Sequence, residues 1–168
     1  KAPVGTGALP RVVYGLHGGL NYKACELNFL FQGVSNYSTM IGGTGIWETS
    51  FDGVFGALHA NAWTQERYDN GEKISSPALS LAKTVNHEAS DYYNYNRAYL
   101  RLKNIELAYT LPASLANAIT AEKVRFVLSG QNLVTWDKMK SDDFGPEGGG
   151  YSTFPVYKVY NVGISVTF

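Results

Sequence analysis

Five stretches of this chain alternate in polarity from one residue to the next, and a period of two is the signature of a pleated strand with two unlike faces. In Val12 to Leu20, "VVYGLHGGL", one face carries Val12, Tyr14, Leu16 and Leu20 and the other Gly15, His17 and Gly19. Cys25 to Val34 sets Cys25, Leu27, Phe29 and Phe31 against Glu26, Asn28 and Gln32, and the intervening "NYKA" reads as a tight turn that makes the pair a hairpin. Lys123 to about Trp136 places Val124, Phe126, Leu128, Val134 and Trp136 opposite Arg125, Ser129, Gln131 and Thr135. A last strand begins near Tyr157, with Tyr160, Val162, Ile164, Val166 and Phe168 opposite Asn161, Gly163, Ser165 and Thr167.

The remaining strand, "AYLRLKNIELAYTLP", contains a flaw. Leu100 and Leu102 share one parity, whereas Ile105, Leu107 and Tyr109 have the other. One face receives all five only if an extra residue sits near Lys103 or Asn104, so a β-bulge is expected there. "PASLANAI", Pro112 to Ile119, reads as a short helical turn between strands. An aromatic content of 14%, with 12 Tyr and 18 Gly, agrees with an all-β chain.

The connections between these strands alternate in length. Asn21 to Ala24 is short, Ser35 to Arg97 long, Leu111 to Glu122 short and Asp137 to Val156 long. A bare loop from 35 to 97 is rare in a compact soluble domain; a short helix around Ile46 to Asn61 is the expected regular element within it. Transmembrane barrels alternate short periplasmic turns with long outer loops, and their strands escape hydropathy scans. The polar face, with Glu26, Asn28, Gln32, Arg101, Arg125 and Gln131, suits a wet lumen; the apolar face suits lipid, with Tyr14, Tyr109, Tyr160 and Trp136 near the interfaces. Alternation by itself also permits a soluble sheet with one solvent face, as in a β-sandwich carbohydrate-binding or adhesion module.

Several function classes lose support. Lys plus Arg equals Asp plus Glu at 14 each, so nucleic acid is an unexpected partner. The single cysteine, Cys25, has no partner for a disulfide or a zinc site and is read as a small strand residue. "KAPVGTGALP" lacks the apolar core of a signal peptide, and no apolar run reaches transmembrane-helix length. His17, His59 and His87 are scattered without metal spacing, and neither a phosphate loop nor a nucleophile elbow is present, so no enzyme activity, metal site or cofactor is expected. Asp137, Asp142, Asp143 and Glu147 make calcium conceivable in the 137–147 loop, but they match no EF-hand and a solvated loop is the better reading.

Orientation follows from parity. If the final strand descends to a periplasmic C-terminus, the first also descends, and residue 1 starts outside the cell. Five strands cannot close a barrel, so the chain is expected to be part of something larger.

"AYLRLKNIELAYTLP", then "VRFVLSGQNLVTW", a Gly-rich loop and "YNVGISVTF" closely resemble the C-terminal end of SusC/RagA-like TonB-dependent outer-membrane transporters, and "VVYGLHGGLNYKACELNFLFQGVSNY" resembles the preceding hairpin. The resemblance implies about five antiparallel strands of a 22-stranded transmembrane β-barrel in a Gram-negative outer membrane, with 35–97 as a long extracellular loop. It implies import of oligosaccharides or peptides, a TonB complex engaged through an absent N-terminal part, a SusD-like surface lipoprotein as lid, and a dimer of such pairs. The plug and earlier strands are absent, so the piece by itself is not expected to transport. Phe168 is then the aromatic residue read by the barrel-assembly machinery. Sugar rings stack on aromatic faces, so Trp47, Trp63, Tyr92, Tyr93 and Tyr95 are candidate substrate contacts; packing within the loop or against the lid accounts for them equally well.

Overall fold

A computed structural model describes residues 3–49, 55–140, 142–148 and 153–168. The alternating stretches form strands β1 (Val12–Tyr22), β2 (Cys25–Ser35), β5 (Tyr99–Thr110), β6 (Lys123–Asp137) and β7 (Val159–Thr167), and two short strands, β3 (Ser38–Met40) and β4 (Asn94–Asn96), lie in the first long connection. The long strands make one sheet in the order β1-β2-β5-β6-β7, antiparallel from β2 through β7. The last strand starts at Val159, slightly later than its pattern suggested. The "NYKA" turn narrows to Lys23 and Ala24, with Lys23 in the left-handed region at φ 54°. Pro112 leads into the helical turn α2 (Ala113–Asn117), as its missing N–H allows.

The expected bulge is present. Register shifts between Leu102 and Asn104 on β5, leaving Lys103 outside the pairing to both neighbours. Phe29 and Phe31 on β2 oppose Ile105 and Leu102 on β5, which in turn oppose Gly130 and Val134 on β6. Two steps on one strand therefore match three on the next and four on the third, with Asn132 at φ 53° absorbing part of the excess. Leu100, Leu102, Ile105, Leu107 and Tyr109 consequently share the face of Trp136, Val134, Leu128 and Phe126.

That face is apolar and uncovered over most of its extent. Leu107, Tyr109, Phe126, Leu128, Tyr160 and Ile164 are all exposed, and Val162 reaches 82%. Only at the end near α2 is it packed, where Ala116, Ala121, Val124 and Leu111 form a small cluster. An exposed apolar surface of this continuity marks a partner or a membrane.

Glycines on β1 and β2 receive rings from the neighbouring strand. A Cβ on Gly33 would run into the Tyr14 ring, and one on Gly18 into Phe29. The Tyr14 hydroxyl then reaches the Tyr99 carbonyl at 3.4 Å.

The chain divides into two compact units: the sheet with its turns (12–34, 99–137 and 156–168), and the long connections with the N-terminal segment (1–11, 35–98 and 138–155). The second unit is folded. β3 and β4 pair antiparallel, from Ser38 opposite Asn96 to Met40 opposite Asn94. Single 3-10 turns occupy Ala57–His59, Val85–His87 and Asp91–Tyr93, and Ala62 bridges Ser76. Of the helix expected around Ile46 to Asn61, the described residues show the single 3-10 turn Ala57–His59: 43–49 are turns, 50–54 lie outside the description, and the α-helical turn is α1 (Gln65–Asp69). Thr64 decides that position, because its hydroxyl caps the Arg67 N–H at 3.2 Å, whereas the glycines of "GGTG" favour turns.

Candidate functional site

The polar face of the sheet carries a charge network that strand pairing dictates. Glu26 lies opposite Ala108, and Arg125 opposite Thr110, two residues along the same strand. Ala108 is small enough for the guanidinium to pass over it, and Arg125 Nη2 reaches Glu26 Oε2 at 2.8 Å and Glu106 Oε1 at 3.1 Å. Nearer the end where the long connections leave, Arg101 is 4% exposed, donates from Nε to Thr135 Oγ1 at 2.9 Å and lies over the Tyr99 ring at 4.9 Å. Asn161 donates to Ser129 at 3.4 Å. Row by row, this face offers paired charges, amides and hydroxyls, the inverse of the apolar face behind it.

In the loop-bearing unit an aromatic core forms around Ile41, Ile46, Tyr93 and Tyr95, with Trp47, Tyr92, Leu58, Met139 and Phe144 against it. Tyr93 packs edge-on to Trp47 and Tyr92, with centroids 6.0 and 4.9 Å away, and its hydroxyl donates to the Asn86 carbonyl at 2.6 Å. Burial first, and then the Glu48 charge and the neighbouring phenols, push the Tyr93 hydroxyl up to about 12. The same desolvation raises Tyr92 and Tyr95. These phenols therefore stay neutral and act by shape and hydrogen bonding.

Two histidines support that core by one device. Gly56 N–H donates to His59 Nδ1, and Thr84 N–H to His87 Nδ1, each at 3.0 Å, so each imidazole closes the 3-10 turn that contains it. With Nδ1 accepting, the proton sits on Nε2. His59 Nε2 donates to the Ile46 carbonyl at 3.1 Å. His87 Nε2 lies 3.1 Å from Glu48 Oε1, at ion-pair distance but off the line of a hydrogen bond. Burial acts to raise the Glu48 carboxyl, yet the Ser80 N–H at 2.8 Å and the His87 ring outweigh it and hold the group below its ordinary value.

Cations tie the second long connection into the same unit. Arg97 is buried, donates from Nε to the Pro146 carbonyl at 2.6 Å, from Nη1 to Thr39 Oγ1 at 2.9 Å and from Nη2 to the Gly148 carbonyl, and stacks on Tyr37. Lys140 Nζ donates to the Tyr92 carbonyl at 3.1 Å and sits over the Tyr92 and Tyr95 rings.

Of the candidate contacts, the structure thus gathers Trp47, Tyr92, Tyr93 and Tyr95 into one cluster and leaves Trp63 apart. Tyr93 and Tyr95 are 4% and 3% exposed; Trp47 and Tyr92 are half-buried. Trp63 is 41% exposed on the rim of an open depression with Arg67, Glu66, Glu72 and Leu79. Phe168 follows β7 and is 84% exposed. Sequence reasoning missed Arg97, Glu48 and the capping histidines. "GALH" and "TVNH", each a turn-forming residue three before a histidine, were the available signal for the last.

No family model matches the chain. Among curated proteins, TonB-dependent receptor P3 of Formosa agariphila is 26% identical over 95% of this chain, and TonB-dependent receptor P26 of the same organism is 24% identical over 95%. The chain spans about a sixth of the length of these relatives, 16% and 17%. Among solved structures, the RagAB peptide transporter superposes on 95% of this chain with a TM-score of 0.70 and 28% identity, and the RagAB peptide importer in its open-open state on 96% with a TM-score of 0.68 and 27% identity. Each match covers 17% of the solved chain. Over nearly all of its length, this chain is similar to a segment of SusC/RagA-like TonB-dependent outer-membrane receptors.

Proposed function

We propose that the chain is part of an outer-membrane active transporter that imports oligosaccharides or peptides, is energised by TonB and works with a SusD-like surface lipoprotein. The observation that carries this is the two-faced sheet. An uncovered apolar surface backs a face of paired charges and amides, and among the described residues β1 and β7 are each paired on one side only. Open edges in lipid leave backbone groups unsatisfied, so the remaining strands of a larger barrel complete the ladder. Trp136 and Tyr14 lie toward the end where the long connections leave and Tyr109 toward the other, as two interfacial girdles require. The RagAB importer and the TonB-dependent receptors supply the activity by analogy.

In this reading 35–97 and 138–155 face outward and present the ligand-handling surface. Direct contact falls to Trp63 and to the exposed edges of Trp47 and Tyr92, with Tyr93 and Tyr95 packed against the latter two. Phe168, exposed just after β7, is the residue this reading offers to the barrel-assembly machinery. The lid lipoprotein and the TonB complex are partners of the whole transporter, which can pair into dimers.

The test is the intact denatured mass of the polypeptide extracted from outer membranes, with energised uptake measured in the same cells. A mass several-fold above 18.4 kDa, detergent-dependent solubility and uptake lost on deletion of 12–34 support the reading. A soluble polypeptide near 18.4 kDa that needs no detergent replaces it with the β-sandwich module.

A further inference from the structure

We propose that a pocket beside the β3–β4 pair binds an acidic sugar unit of an oligosaccharide; this rests on the transport reading and names its substrate class. The pocket measures about 340 Å³, at the lower end of the range for ligand sites. Thr6, Asn36, Tyr37, Asn94, Asn96 and Lys138 line it, so among the described residues its wall offers amides, hydroxyls and one ammonium, and no carboxylate.

The polar groups are held in place and left with free valences. Asn96 Oδ1 accepts the Ala98 N–H at 3.0 Å, which turns its NH2 free to donate. The Ser38 hydroxyl accepts from Thr6 N at 2.7 Å and from Thr6 Oγ1 at 3.2 Å, fixing the N-terminal segment as one wall. Gly5 makes that wall possible. Its φ is +83°, and a Cβ there would run into the Asn94 amide and the Ser38 hydroxyl. Tyr37 is steadied by the Arg97 guanidinium 5.3 Å from its ring, and Arg97 is itself buried and clamped by backbone carbonyls. The Asn94 amide, the Tyr37 hydroxyl and the Lys138 ammonium take no partner among the described residues.

This donor set has one matching chemistry. Neighbouring hydroxyls of a sugar ring each donate and accept, and a side-chain amide does both within one planar group. A carboxylate or sulfate on the ring then meets Lys138, the one charge among the described residues of the wall. A peptide backbone fits less well. It would need an open strand edge, and the β3 edge is engaged, with Ser38 N–H donating to the Gly7 carbonyl at 3.2 Å. The Trp63 depression has the opposite charge balance, with Glu66 and Glu72 against Arg67, and Arg67 already lies 3.6 Å from Glu72.

The experiment is calorimetric titration of the full-length transporter in detergent with oligogalacturonate, a sulfated galactan oligosaccharide, a neutral galactan oligosaccharide of equal length and a mixed-peptide pool. The expected result is binding of at least one acidic oligosaccharide about tenfold tighter than the neutral one. Lys138→Met should equalise the two, and Asn94→Ala should weaken both, with unchanged melting curves. Equal binding of acidic and neutral sugars by the unaltered protein, binding of peptides alone, or acidic-sugar binding untouched by both variants overturns the proposal. Outer-membrane extraction and uptake report separately on the transport reading: a membrane transporter that binds only peptides sinks the sugar site and leaves transport standing.

Discussion

His87 Nε2 lies 3.1 Å from Glu48 Oε1, with both side chains almost wholly out of solvent, and the same carboxylate accepts the Ser80 N–H. Glu48 has its carboxyl held below the ordinary value of 4.5, so its stabilising contribution is complete above that value and is lost as pH falls through the lower folded value. Glu48→Gln should flatten this acid dependence and cost about 1–3 kcal/mol at neutral pH, because Ser80 loses a charged acceptor. Tryptophan emission, followed during acid titration of the parent and variant proteins, checks both statements.

Lys103 stands outside both ladders, and because it is skipped Leu100 and Leu102 share the apolar face with Leu107. Deleting it leaves Leu100, Leu102, Ile105, Leu107 and Tyr109 in strict alternation on one face, whereas deleting Glu106 puts Leu107 and Tyr109 on the face opposite Leu100, Leu102 and Ile105, since a one-residue slip outside the bulge inverts every side chain beyond it. The Glu106 deletion should abolish outer-membrane insertion while Lys103→Ala and the Lys103 deletion leave it intact, as read by heat-dependent gel mobility.

Gly18 accepts the Phe29 ring, so Gly18→Val should displace it and cost about 1–3 kcal/mol by overpacking. Pairing Gly18→Val with Phe29→Ala should recover part of that loss in a urea titration. Purely additive costs would show that the ring contact is incidental.

Arg125 bridges two carboxylates, Glu26 and Glu106, that would otherwise be like-charged diagonal neighbours on β2 and β5. Arg125→Gln should therefore lower the urea midpoint more than Glu26→Gln does. Adding Glu26→Gln to Arg125→Gln should raise the midpoint again, because it removes the uncompensated repulsion.

Cys25 is the sole cysteine, exposed and on the face of Leu27 and Phe29. A fluorescent maleimide placed there should be quenched by nitroxide on lipid tails and spared by a water-soluble quencher. The reverse pattern would put the apolar face in water.

Much of the sheet was legible in the residue order because strand identity, facing and even the fault at Lys103 are matters of parity, and parity is a local property. The contrast between Leu107 and Glu106, or between Phe126 and Arg125, needed no knowledge of neighbours. Which segments lie side by side in the long connections was a different matter. Arg97 finds its acceptors at Pro146 and Gly148, Lys140 finds Tyr92, and Glu48 finds Ser80 and His87, all across separations that no periodicity encodes. The fate of the aromatic residues followed from those contacts. Tyr93 and Tyr95 became core and Trp63 remained open, although each sits in a stretch without hydrophobic periodicity. Residue order alone thus yields a two-faced antiparallel sheet that demands further strands. That the connections form a folded unit emerges only in three dimensions, because burial of an aperiodic segment depends on partners the chain brings from elsewhere.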